Sequence, residues 1–248
     1  MSLLPSLTPD CNVAVIGASG GIGHAFVELL AADPAVASVH AFSRSPASFE
    51  DSAVRSSVLD LTDEASVKQA AEFATQQGPL DLVIVATGIL HRDPDIKPEK
   101  TMRDLNSASL AEVFAINTIG PALVAKHFLP TLRRGEKTVF AALSARVGSI
   151  TDNRLGGWAS YRMSKAALNM MLRTMAIEQA RLRPDSVVVG LHPGTVDTGL
   201  SKPFQTRVPD GKLFSPQHSA SSLLQVLDQL RANDSGCFFA YDGSRIEF

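Results

Sequence analysis

The chain has 248 residues, of which 45% are hydrophobic and 19% charged, a composition typical of a globular protein with one large α/β domain or two small ones. The formal net charge of -2 and the absence of a basic stripe exclude a general attraction to nucleic acid. Its two cysteines, Cys11 and Cys237, are far apart, which is neither a disulfide framework nor a metal pattern and is typical of a reducing compartment. Residues 1–10 carry no positively charged segment, and no apolar run approaches the roughly 20 residues of a membrane span. We therefore expect a cytoplasmic protein with no metal, membrane or nucleic-acid partner.

The first apolar run, at 12–16, is followed directly by glycines and then by a helical stretch at 24–32. Strand, glycine loop and helix in this order indicate phosphate binding, because glycines let backbone N–H groups approach a pyrophosphate and a helix N-terminus supplies partial positive charge. A flexible surface loop is the alternative. The residues predicted to bind a dinucleotide here are Gly17, Ser19, Gly20, Gly21, Ile22 and Gly23.

The second strand is predicted at 39–43 and ends in Ser43 and Arg44. About 20 residues after the glycine loop, an NAD site would have an acid that holds the ribose 2′-hydroxyl. A hydroxyl followed by a guanidinium instead suits a 2′-phosphate, so NADP(H) is favoured over NAD(H). The alternative is that Arg44 only points to water.

A third strand is predicted at 54–59, before Asp60 and Leu61, and a helix at 62–77. Asp60 either accepts a hydrogen bond from an adenine amino group or helps to begin that helix. The nearly continuous apolar run at 80–86 predicts a strand covered by helices on both faces. Its end, Ala86-Thr87-Gly88, would again let backbone pass close to a ligand.

A long helix is predicted at 107–132, after a polar loop at 91–100. It would bury Asn117 among apolar residues, and Pro121 would kink or break it. The fifth strand is predicted at 138–143 and is followed by Ser144.

Tyr161 and Lys165 lie one turn apart on the next predicted helix, for which Ser160 is the expected N-cap, so both side chains emerge from one face. The ordinary tyrosine pKa of about 10 makes tyrosine a poor acid or base near neutrality. A fixed ammonium nearby lowers that pKa and makes the phenol usable for proton transfer. An interfacial tyrosine and a solvated lysine are the alternative for such a pair alone.

A sixth strand at 187–191 precedes His192-Pro193-Gly194, and an irregular segment at 195–215 is the expected mobile lid. A helix at 216–232 and a short strand at 237–240 complete the chain. This alternation predicts one α/β domain over 1–248, a Rossmann-type doubly wound sheet of about seven mainly parallel strands with helices on both faces. Ligands bind at the carboxyl ends of such strands, where we expect Gly17, Ser43, Asp60, Gly88, Ser144 and Pro193.

In chain order, the sequence carries Gly17-x-x-x-Gly21-x-Gly23, Ala86-Thr87-Gly88, Asn117, Ser144, Tyr161-x-x-x-Lys165 and Pro193-Gly194. Together these motifs resemble those of the short-chain dehydrogenase/reductases, over essentially the whole chain. Segments 152–157, 201–204 and 242–246 are most similar to those of the C-factor and sniffer-like carbonyl reductases.

The resemblance implies four catalytic roles. Tyr161 would give a proton to a carbonyl oxygen or take one from an alcohol, and Ser144 would hydrogen-bond the same oxygen. Lys165 would lower the tyrosine pKa and hold the nicotinamide ribose, while Asn117 would anchor a water that relays protons. Further cofactor contacts are expected from Ala86, Thr87, Gly88, Pro193, Gly194, Val196 and Thr198, besides Asn117, Tyr161 and Lys165 themselves. His192, beside Pro193, is expected to be structural rather than a second acid.

The predicted function is an NADP(H)-dependent oxidoreductase that interconverts a small carbonyl compound and its alcohol by hydride transfer. A dinucleotide-binding sensor or a C-factor-like cell–cell signalling protein with incidental catalysis is the alternative. An epimerase or dehydratase of the extended type fits the glycine loop but lacks sequence for a sugar-nucleotide domain. The substrate pocket is expected from 149–158, 91–95 and the segment after Gly194, with Leu155, Trp158 and Phe204 as apolar lining. A homodimer or homotetramer is expected, with a monomer as the alternative.

Overall fold

The structure is a computed structural model that describes residues 2–45 and 47–248, apart from the side chain of Arg207. Within these residues, seven parallel strands form one sheet in the order β3-β2-β1-β4-β5-β6-β9, and two short strands, β7 and β8, pair separately. The strands are β1 Cys11–Ile16, β2 Val36–Ser43, β3 Val54–Val58, β4 Leu82–Val85, β5 Thr138–Leu143, β6 Ser186–His192, β7 Thr195–Val196, β8 Leu213–Phe214 and β9 Phe238–Ala240. The predicted doubly wound α/β sheet is confirmed.

Helices cover both faces of the sheet. They are α1 Gly21–Ala31, α2 Glu64–Ala74, α3 Ser107–Phe114, α4 Gly120–Phe128, α5 Ala159–Leu182 and α6 Pro216–Gln229. One core lies between the sheet and α1 with α6, and includes Val15, Phe26 and Leu223. The other lies under α2, α4 and α5, and includes Phe128 and Phe140. Burying one such side chain contributes roughly 1.5–3 kcal/mol, so the apolar strands fix both layers of helices.

The strand order reverses beside β1, since β2 pairs with one edge of β1 and β4 with the other. The connections after β1 and β4 therefore leave in opposite directions and open a crevice at the carboxyl ends of these strands, where open α/β sheets bind ligands.

The predicted helix at 107–132 is divided into α3, a π-helical turn at Ala115–Ile119, α4 and a short 3₁₀ turn at Leu129–Thr131. The backbone N–H of Gly120 donates to the carbonyl of Ala115, five residues back. The break thus precedes Pro121, which lies in the first turn of α4. Gly120 packs so closely on Leu61 that a Cβ would overlap the leucine side chain, and the wide turn is a common device at functional sites.

The same run corrects one expectation from the sequence. Residues Ser107–Thr131 are helical over 25 residues with a mean hydropathy of 1.5, so by length and composition they could cross a membrane. In this fold the run packs against α2, α5 and β4 as a helix of the α/β layers.

The segment predicted as irregular at 195–215 contains more structure than expected. β7 pairs with β8 in parallel, through Thr195 with Leu213 and Val196 with Phe214, and a 3₁₀ helix at Lys202–Arg207 lies between them. Two-residue strands are too short to show an alternating pattern in sequence.

Candidate active site

The glycine loop makes a tight turn between β1 and α1. Gly17 has a φ of 97°, a conformation that favours glycine, and its carbonyl accepts from Gly20 N at 3.0 Å. A Cβ on Gly23 would overlap that same carbonyl oxygen. The N-cap, Gly20, offers no side-chain hydrogen bond to the first turn of α1. Those amides therefore stay available to an anion at the positive end of the helix.

A cavity of about 500 Å³ extends from this loop along the ends of β1 to β4. It brings together ten of the residues predicted to bind a dinucleotide: Gly17, Ser19, Gly20, Ser43, Arg44, Asp60, Leu61, Ala86, Thr87 and Gly88.

At the end of β2, the Ser43 hydroxyl donates to the carbonyl of Ser45 at 2.7 Å, so its proton is already engaged. The exposed Arg44 follows. Arg92 and Glu112, which the sequence reasoning missed, also line this cavity and form a two-pronged ion pair. Among the described residues that line this cavity, Arg44 is therefore the arginine whose guanidinium contacts no carboxylate.

Asp60 accepts hydrogen bonds from the backbone N–H of Thr62 at 2.9 Å and from its hydroxyl at 2.7 Å. These bonds to Thr62 hold the pKa of Asp60 below its ordinary value. The N-cap of α2 is Asp63, which accepts from Ala65 N. Asp60 thus shapes the turn before α2 and also lines the cavity. Its hydrogen bond from an adenine amino group stays a prediction.

A second cavity, of about 330 Å³, lies on the other side of the glycine loop. Predicted residues from five separate parts of the chain meet on its walls: Gly20, Gly21, Ile22, Ala86, Thr87, Gly88, Ser144, Tyr161, Lys165, Pro193 and Thr198. Leu143, Gly199 and Leu200 complete the lining.

Tyr161 and Lys165 are both buried and project from one face of α5. Lys165 Nζ lies 5.8 Å from the centre of the Tyr161 ring and donates to the carbonyl of Leu143 at 2.8 Å. Burial lowers the pKa of Lys165 to about 8 and raises the pKa of Tyr161 above its ordinary value. The lowering of the Tyr161 pKa that the sequence predicted is thus not found, because desolvation of the buried phenol raises the pKa.

Asn117 lies in the π-helical turn and is fully buried. Its Oδ1 accepts from Ile89 N at 2.8 Å, and its Nδ2 donates to the carbonyl of Ile89 at 2.8 Å and to Ser164 Oγ at 3.1 Å. The side chain therefore fixes the turn after β4 against the helix that carries Tyr161.

Ser144 follows β5, and its backbone N–H donates to the carbonyl of Leu191 at 2.7 Å. Its hydroxyl donates to Asn169 Oδ1, also at 2.7 Å. Asn169 was not among the residues predicted from the sequence. Its position one turn after Lys165, among residues of the buried face of α5, is the signal that could have found it.

The start of α5 differs from the prediction. The helix begins at Ala159, and its N-cap is Trp158, a left-handed residue with a φ of 53° that follows two left-handed glycines, Gly156 and Gly157. Ser160 is therefore inside the first turn and is not the cap. Its hydroxyl and its backbone N–H both donate to the carboxylate of Glu99.

Glu99 is another residue that the sequence did not indicate. It is buried, and its backbone carbonyl also accepts from Trp158 N at 2.6 Å. A carboxylate at this end of a helix is favoured by the unsatisfied N–H groups and the helix dipole. Glu99, from a distant loop, thus takes the place of a local cap.

A third cavity, of about 250 Å³, adjoins the second and is mostly apolar. Its walls include Leu90, Val147, Trp158, Val196, Leu200, Phe204 and Val208, together with Ser144, Tyr161, Pro193, Gly194 and Thr198. The rings of Trp158 and Phe204 are 4.9 Å apart, and His91 lies 5.7 Å from Phe204.

One expectation for the lining of this pocket changes. Leu155 is 92% exposed, and of the expected segments 149–158 and 91–95 only Trp158 lines the cavity. His192 does line it, and burial lowers the pKa of His192 to about 4. A neutral imidazole near pH 7 agrees with a structural role.

Comparison with known proteins agrees with this geometry. The family model described as short chain dehydrogenase matches residues 12–208. The C-signal of Myxococcus xanthus is 38% identical over 177 residues, which are 70% of this chain and 97% of that protein.

Among solved structures, the NADPH-bound carbonyl reductase from chicken fatty liver has a TM-score of 0.82 and 28% identity, covering 98% of this chain and 97% of that one. Carbonyl reductase Sniffer of D. melanogaster has a TM-score of 0.80 at 21% identity, covering 97% and 100%, which is a likeness of fold. The resemblance noted from the sequence motifs is confirmed. The chain belongs to the short-chain dehydrogenase family.

Proposed function

We propose that this protein is an NADP(H)-dependent oxidoreductase that interconverts a small carbonyl compound and its alcohol. One observation carries the proposal. Ser144 and Tyr161 lie on the walls of both the cavity beside the glycine loop and the apolar cavity next to it. A carbonyl group bound in the apolar cavity would thus meet both hydroxyl groups beside the predicted nicotinamide position.

The residues present fit a dinucleotide. The left-handed Gly17 and the tightly packed Gly23 hold the loop where only glycine fits. At Gly88, a Cβ would lie 3.5 Å from Lys165 Nζ and 3.5 Å from Asn117 Oδ1, so a side chain would fill space beside these two groups.

When bound, the cofactor supplies the hydride that the carbonyl carbon accepts. Tyr161 would transfer its hydroxyl proton to the carbonyl oxygen, and the reverse transfer would serve alcohol oxidation. Ser144 would position that oxygen. Lys165 would supply positive charge beside the phenolate that forms, and such acid–base catalysis is typically worth roughly 10²–10⁴-fold in rate.

The preference for NADP(H) rests on Arg44. The residues at the carboxyl end of β2 are Ser43 and Arg44 rather than an acid. The Ser43 proton is engaged by Ser45, and the exposed Arg44 lines the cavity of about 500 Å³. A free guanidinium suits a phosphate better than a ribose hydroxyl. The similar chicken enzyme is an NADPH-bound protein, which supports the same choice.

Tyr161→Phe tests the proposal, because it removes the transferred proton and little else. We expect turnover of a panel of aldehydes and ketones with NADPH to be abolished. The Kd for NADPH, measured by fluorescence titration, should stay within about twofold of the wild-type value. Turnover equal to that of the wild type would remove Tyr161 from the mechanism.

A dinucleotide-binding sensor is the second candidate, and the 38% identity to a protein named C-signal favours keeping it. Tight NADPH binding without turnover of any aldehyde, ketone or alcohol in the panel would support the sensor.

We further propose that residues 1–248 act as one dinucleotide-binding domain in the cytoplasm. Both cysteines are free and buried, which agrees with a reducing compartment. A homodimer or homotetramer remains our proposal for the assembly.

A further inference from the structure

Asn169 contacts Ser144 but lines none of the three cavities described above. It is 3% exposed, and its Oδ1 accepts the Ser144 hydroxyl proton at 2.7 Å. Its Nδ2 is buried and finds no hydrogen-bond partner among the residues that the structure describes. A buried amide group without a partner destabilises the folded state, so this arrangement calls for an explanation.

The direction of the Ser144 proton matters for the proposed reaction. A hydroxyl has one proton and two lone pairs. While the Ser144 hydroxyl donates its hydrogen bond to Asn169 Oδ1, it presents only lone pairs to the cavity. It can then accept a hydrogen bond from Tyr161 but cannot donate one to a carbonyl oxygen.

A half-turn of the Asn169 amide removes this conflict. The amide oxygen and nitrogen have nearly the same size, so the turn exchanges an acceptor for a donor without changing the packing. Nδ2 would then donate to Ser144 Oγ, and the serine proton would be free for the oxygen of the substrate. Gly190 leaves room beside the amide, since even a Cβ there would lie 3.5 Å from Asn169 Oδ1.

We propose that Asn169 is a positioning residue that sets the direction of the Ser144 hydroxyl proton, with its amide turning from acceptor to donor when a carbonyl compound binds. The inference rests on the proposed oxidoreductase function. Asn169 itself touches neither cavity, so it acts through Ser144.

Two substitutions of similar size separate the roles of the amide. Asn169→Asp keeps the acceptor and removes the donor, so its carboxylate would hold the Ser144 proton permanently. We expect kcat to fall by roughly 10²–10³-fold, the usual cost of losing one donor to a developing oxyanion. Asn169→Leu removes both the acceptor and the donor. The Ser144 hydroxyl then has no partner that sets its direction but is free to donate, so we expect a smaller fall in kcat, of roughly tenfold.

The pH profile of Asn169→Asp supplies a readout that a merely structural role would not move. A protonated carboxyl group can donate as the amide does. The ratio of variant to wild-type kcat should therefore rise as pH falls from 8 to 5, and should stay flat for Asn169→Leu. A flat ratio for both variants would overturn the proposal.

The same substitutions are repeated in Ser144→Ala, with enough enzyme to measure its residual turnover. If Asn169 acts through Ser144, neither substitution changes kcat there by more than about twofold. Equal losses in both backgrounds, or thermal unfolding that accounts for the losses, would overturn the inference alone. Absence of turnover by the wild-type protein would overturn the proposed function and this inference together.

Discussion

Lys165 donates to the carbonyl of Leu143 at 2.8 Å while its ammonium lies 5.8 Å from the centre of the Tyr161 ring. The first contact anchors the lysine to the end of β5, next to Ser144. The second holds positive charge near the phenol. One buried side chain therefore ties the strand that precedes Ser144 to the helix that carries Tyr161.

Lys165→Met should change how stability depends on pH. Burial lowers the pKa of Lys165 to about 8, from 10.5 in the unfolded chain. Between these values the unfolded state holds a proton that the folded state has released, so the free energy of unfolding rises with pH. Between pH 8 and 10.5, the free energy of unfolding of the wild type should rise by about 3 kcal/mol relative to that of Lys165→Met.

Urea unfolding of both proteins at pH 7, 8, 9 and 10 measures this difference. Lys68→Met, at a lysine that is 65% exposed, serves as the control and should follow the wild type. A constant difference between wild type and Lys165→Met from pH 7 to 10 would contradict the prediction.

Arg44→Ala should weaken NADPH binding selectively. The loss of one charge-assisted contact to a 2′-phosphate predicts a Kd for NADPH raised by roughly 10- to 100-fold, while the Kd for NADH should change by less than about twofold. Arg103→Ala, at an exposed arginine outside the cavities described above, is the control for net charge. An equal loss of affinity for NADPH and NADH would show that Arg44 does not bind the 2′-phosphate.

Gly23→Ala and Gly20→Ala should affect the loop differently. A Cβ at 23 would overlap the carbonyl oxygen of Gly17, whereas a Cβ at 20 would lie 3.4 Å from it. We expect Gly23→Ala to lower the free energy of unfolding by roughly 1–3 kcal/mol through overpacking and to lose NADPH affinity.

Gly20→Ala, in contrast, should keep its thermal stability within a few degrees. Thermal unfolding and NADPH titration of both variants measure the two effects separately. The prediction fails if the two variants have the same melting temperature.

Glu99→Ala should destabilise the first turn of α5. It leaves the Ser160 hydroxyl and backbone N–H without their acceptor, at a cost of roughly 1–3 kcal/mol. Glu99→Gln keeps one acceptor and should lose less. Urea unfolding measures both, with Glu136→Ala, at an exposed glutamate, as the control. Stability of Glu99→Ala equal to that of the control would show that the contact contributes nothing.

The parts of the fold that were predictable are those set by local pattern. Continuous apolar strands and glycine loops gave the doubly wound sheet, because helices on both faces demand such strands. The spacing of Tyr161 and Lys165 placed both on one face of α5. For Ser144 and Asn117, local pattern predicted only a strand end and a buried place in an apolar helix, and their proposed roles came from the resemblance of the motifs to the short-chain dehydrogenase/reductases.

The contacts that were missed join positions far apart in the chain. Glu99 meets Ser160 across 61 positions, and Ser144 meets Asn169 across 25. Ser160 looked like a cap because serine commonly is one. The left-handed Trp158 starts the helix two residues earlier than that rule predicts, so only the folded loop shows where the cap comes from.

The central place of β1 has a consequence for how the chain folds. β1 joins β2, which follows closely, to β4, whose pairing closes a loop of more than 60 residues between Ile16 and Leu82. Such distant pairings slow folding. Until β1 is in place, β4 has an open edge made of four wholly apolar residues, Leu82–Val85, and an edge of this kind recruits strands from other chains. A truncation that removes β1 should therefore cause aggregation during synthesis rather than a soluble half-sheet.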